Sequence, residues 1–98
     1  MKLTVLCLIA GHAFCQGLPL RTQNCVNASL VLENIGSALS KSQVSQADKF
    51  IETSSLPLMH TTKLKGMLSL LIRQEPKIFT TQYNQQMSQK YYADCMSN

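Results

Sequence analysis

Four cysteines, two histidines and one helically spaced pair of carboxylates are the residues of this chain whose types could do chemistry. Beyond residue 17 the only histidine is His60, so neither a Cys/His nor a Ser/His/Asp constellation can be built without it. It falls near the start of a helical run beside Thr61 and Thr62, where a solvated or capping role is expected. Asp48 and Glu52 stand four apart with Lys49 between them, the pattern of a solvated helix face. No CxxC, HxxxH or Asp-rich loop offers metal-ligand spacing, so neither a metal nor a cofactor is expected. These residue types point away from an enzyme.

The cysteines divide by position. Met1-Lys2 is a short basic opening, Leu3 to Ala10 is apolar, and small residues follow at Gly11, Ala13, Cys15 and Gly17. Residues 1–17 therefore read as a secretory signal peptide, cleaved after Cys15 or Gly17 and too short for a membrane span. Cys7 and Cys15 leave with it, and the secreted, extracellular chain keeps Cys25 and Cys95, which an oxidising compartment should convert to cystine. Asn27-Ala28-Ser29 is an N-glycosylation sequon, and Asn27 also suits the N-cap of the first helix; the two roles compete. Eight basic residues against five acidic ones leave this part of the chain at +3, dispersed, with no run that would make a nucleic-acid footprint.

The elements that must position these residues are helical. Residues 18–98 make one domain, small enough to need a staple or a partner. Leu18 to Asn24 has no period and reads as an extended lead-in. Ala28, Val31, Leu32, Ile35, Ala38 and Leu39 then mark one face of a first helix, with Gly36 inside it, either for close approach of a neighbour or merely tolerated. A second helix is predicted from about Ser42, its cap, to Thr53. Pro57 opens a third, about Leu58 to Gln74, apolar enough to be central and buried. Pro76 opens a fourth, on which Phe79, Tyr83, Met87, Tyr91 and Cys95 recur every four residues. Strand signals are absent, so the class is all-α with four short helices. Their apolar stripes would fill a core, or alternatively wall a cavity for a small hydrophobic ligand.

Cys25, the Val31-Leu32-Glu33-Asn34-Ile35 stretch, Phe50 and a second cysteine near the C-terminus together resemble the secretoglobin, or uteroglobin, family. The resemblance runs from Cys25 to Cys95 and is best in the first two helices. It implies a uteroglobin-like four-helix protomer, assembled as an antiparallel disulfide-linked dimer with itself or another secretoglobin-like chain. It further implies a non-enzymatic carrier that binds steroid, retinoid or phospholipid-class ligands in a cavity between two subunits. The cavity would be lined by Ile35 and Phe50 of the first two helices, with Met67, Leu68, Leu71, Phe79 and Tyr83 from the rest. Gln43 stands where some members carry a ligand-bonding tyrosine, and Val26 and Ala28 replace the family's proline and aromatic residue after the first cysteine. A receptor-binding, cytokine-like factor is the alternative, presenting Lys90, Tyr91 and Tyr92 as an exposed patch.

The pairing of Cys25 and Cys95 distinguishes two shapes. An internal bridge would close a loop of about 70 residues, worth roughly 4 kcal/mol in the chain-entropy model. The resemblance instead implies a protomer whose ends point apart, so the expectation is two symmetric bridges exchanged between chains.

Overall fold

The computed structural model describes residues 18–97, so the expected signal peptide and its cleavage sites lie outside the described residues. Four α-helices and no strand occur among those residues: α1 (Leu20–Ser40), α2 (Val44–Glu52), α3 (Leu58–Leu71) and α4 (Thr81–Ser97). A single 3-10 turn, Pro76–Ile78, lies between α3 and α4.

α1 is the element against which the others are laid, and it starts earlier than its sequence suggests. The lead-in expected over Leu18 to Asn24 is helical from Leu20, and the N-cap is Pro19, not Asn27. Pro19 accepts from the Gln23 amide at 3.0 Å, and its fixed φ suits the entry to a helix. The added turns persist because they have a tertiary partner. Arg21 donates from Nη2 to the carbonyls of Cys95 (3.0 Å) and Met96 (3.2 Å), satisfying the negative end of α4.

The stripe read from the sequence is the core. Val31, Leu32 and Ile35 are fully buried, together with Ala28, Ala38 and Leu39, against Ala47 and Ile51 of α2, Leu64 of α3 and Tyr91 of α4. Burying a Val, Leu or Ile side chain of this kind contributes about 1.5–3 kcal/mol. α1 packs most extensively on α4 and next on α2. α3, expected to be the central helix, buries only His60, Leu64 and Leu68, and it stops at Leu71. Leu58, Met59 and Leu70 face solvent, because α3 packs mainly on the short α2 and only sparingly on α1.

The connections also differ from the sequence pattern. Ser42 ends α1 and does not cap α2: it takes φ 58°, while the Gln43 amide donates to Ala38 O and the Ser42 amide to Leu39 O. That is the double closure of a Schellman motif, with serine in the left-handed position usually given to glycine. Pro76 opens the 3-10 turn and not α4. The cap of α4 is Thr80, whose Oγ1 accepts from the Tyr83 amide at 3.1 Å.

Gly36 resolves in favour of close approach. A Cβ built there would lie 2.5 Å from Asn84 Cγ on α4, so the two helices touch at this point through a missing side chain. Asn84 is buried, donates from Nδ2 to Phe79 O at 3.2 Å, and keeps its Oδ1 without a hydrogen-bond partner.

The antiparallel α1–α4 pair brings Cys25 to Cys95 within one chain, with a Cα–Cα separation of 5.7 Å. This lies inside the range a disulfide tolerates. The cystine of this structure is internal, where the resemblance implied bridges exchanged between two chains. The protomer does not splay its ends; α4 runs back along α1, and neither cysteine is left for a partner.

Candidate functional site

At the disulfide end of the bundle, α1, α3 and α4 leave a cleft of about 600 Å³ between them. Leu20, Arg21, Asn24 and Cys25 of α1 form one wall. Pro57, Met59, His60 and Lys63, leading into and along α3, form the other, and Cys95 closes the α4 side. The cleft exists because α1 and α4 are tied here by the cystine while α3 meets α1 only sparingly. Two of its apolar residues, Leu20 and Met59, are largely exposed at the rim.

His60 is the feature the sequence misplaces. Expected to be solvated or capping, it is buried, and its Nδ1 lies 2.7 Å from the Tyr91 hydroxyl. Either group can donate in that hydrogen bond, according to the imidazole tautomer. Burial, and then the charge of Lys63, push the His60 pKa below the ordinary imidazole value. Burial likewise raises Tyr91 above the usual phenol value. Both groups are therefore neutral at pH 7. Lys63 Nζ sits 4.9 Å over the Tyr91 ring, a cation–π contact that holds the ammonium at the wall of the cleft. The signal for His60 was present in the sequence: it falls four and eight residues before Leu64 and Leu68, in line with the buried stripe of α3.

A tyrosine whose pKa is raised is a poor nucleophile, and the two nearby sulfurs are joined in a cystine. Among the described residues no group of three or more His, Cys, Asp or Glu side chains is placed to hold a metal.

The eight ligand-lining residues expected from the sequence lie elsewhere. Ile35, Leu68 and Phe79 are buried in the core, with Phe50, Met67, Leu71 and Tyr83 packed half-buried against it. Phe79 and Tyr83 meet edge to face at 5.8 Å. Gln43 is exposed and shares a shallow groove of about 90 Å³ with Phe50. None of the eight lines the disulfide-end cleft. Asn27 of the sequon lies within α1, half-buried. The expected patch of Lys90, Tyr91 and Tyr92 is divided: Tyr91 faces the core, Tyr92 is partly exposed, and Lys90 pairs with Asp94 at 3.1 Å.

No protein-family model, curated protein or solved structure matches this chain. Nor is any helix among the described residues long and apolar enough to cross a membrane.

Proposed function

We propose that this chain is a secreted, non-enzymatic carrier that holds one small lipophilic molecule in the cleft at its disulfide end. The observation that carries this is the cleft itself. At about 600 Å³ it lies within the range of small-molecule sites, and its walls are mostly apolar, with a few polar groups at defined places. The basic and apolar opening of the sequence and the internal cystine support a route through an oxidising, extracellular compartment.

Kinship with the secretoglobins belongs to this proposal in modified form. The cystine is spent inside the chain, so association of two copies would be non-covalent and would use the exposed apolar residues of α3, Leu58, Met59 and Leu70. The ligand site is then complete within one protomer. Titration of the oxidised protein with the neutral fluorophore Nile red tests the carrier function. Saturable one-to-one binding is expected, with an affinity on the order of micromolar for a partly open apolar site. Binding that rises linearly without saturation would refute it.

A further inference from the structure

We propose that the cleft selects a single-chain amphiphile with a carboxylate head, the head seated at Lys63 and the tail along Leu20, Pro57 and Met59. This rests on the carrier function proposed above and adds the class of ligand. Among the described residues, the charged side chains lining the cleft are Arg21 and Lys63, and no aspartate or glutamate lines it.

The two cations are held differently. Arg21 donates to the last carbonyls of α4, offsetting the negative end of that helix, which would otherwise repel an anion at Cys95. Lys63 is fixed over the Tyr91 ring, and the ion pairs among the described residues, Lys77–Glu75 and Lys90–Asp94, do not involve it. His60 beside it is kept neutral by burial, so it neither adds to nor cancels the charge. The cleft thus presents positive potential next to apolar wall. That juxtaposition favours a molecule with one anionic end and one hydrocarbon end, and it disfavours a cationic lipophile. A volume of about 600 Å³ suits one acyl chain better than two.

The test is displacement of Nile red from the oxidised protein at pH 7.5 and low salt by decanoate, decanol and decyltrimethylammonium, which share one chain length. Decanoate should displace at about tenfold lower concentration than decanol, as one charge-assisted contact supplies, and decyltrimethylammonium should be weakest. Lys63→Met should bring decanoate to the level of decanol. Lys63→Arg should retain the preference. Equal displacement by all three compounds, or a carboxylate preference that survives Lys63→Met, would overturn this inference and leave the carrier function standing. If the probe saturates but none of the three displaces it, this inference falls and the carrier function stands; if the probe does not saturate, both are refuted.

Discussion

Replacing Gly36 by alanine sets two effects of opposite sign against each other. In mid-helix the change favours α1 by about 1 kcal/mol, because alanine loses less backbone freedom on folding. Against that, the new methyl would fall 2.5 Å from Asn84 Cγ and closer still to its Oδ1, inside a buried helix contact. Overpacking of this kind costs about 1–3 kcal/mol. Asn84 cannot retreat without straining its 3.2 Å bond to Phe79 O, and a buried polar group that loses its partner costs a further ~1–3 kcal/mol. The balance is a net loss of about 2 kcal/mol, which for a chain of this size lowers Tm by about 10 °C. Thermal unfolding of the oxidised protein, followed by circular dichroism, measures it. A second background separates the two effects: in Asn84→Ala the obstacle is gone, so Gly36→Ala should become neutral or stabilising. Refutation would be a Gly36→Ala protein more stable than the parent, or the same cost in both backgrounds.

Two other outcomes follow from the cystine and from the burial of His60. The oxidised protein should contain no free thiol in Cys25 or Cys95 and show the mass of a single chain without reductant under denaturing conditions; Cys25→Ser with Cys95→Ser should cost about 4 kcal/mol by urea unfolding. A denaturing mass of two chains that collapses on reduction would contradict the internal bridge. Because the folded His60 pKa lies below the unfolded value of 6.5, the unfolded chain binds more protons between the two. The stability it contributes is therefore complete above about pH 6.5 and declines as pH falls towards the folded value. Urea midpoints from pH 7.5 to 5.5 should fall for the parent and fall less for His60→Gln; identical slopes would show that His60 is not the group responsible.

The helical class was legible because periodicity reports which residues share a face, and the stripe from Ala28 to Leu39 is the one the fold buries. Periodicity does not report what that face meets. α3 has the more apolar composition, yet it exposes Leu58, Met59 and Leu70, whereas α4 buries Asn84 and Ser88. The reason is distance: where Gly36 lets α4 approach α1 closely, a short polar side chain fits and a leucine does not. The cysteine pair was legible and its partnership was not, since the resemblance supplied a splayed shape that the α1–α4 packing does not have. The cleft was hidden for the same reason. Its residues come from three helices whose ends meet only once the chain is folded.

The bridge has a further consequence, for the chain as a covalent object. It joins residues 70 apart, so the polypeptide from Cys25 to Cys95 is a closed ring. A protease that cuts this ring once opens it without dividing the molecule. The connection between α2 and α3 is an available place, since Ser55 there is exposed and takes φ 59°. A cut at that point yields one piece carrying α1 and α2 and another carrying α3 and α4, with the cystine still holding them together. Both walls of the cleft and the Cys95 side remain on the tethered pair. Nicked protein should therefore migrate as one species until it meets a reductant, and ligand should leave it only then.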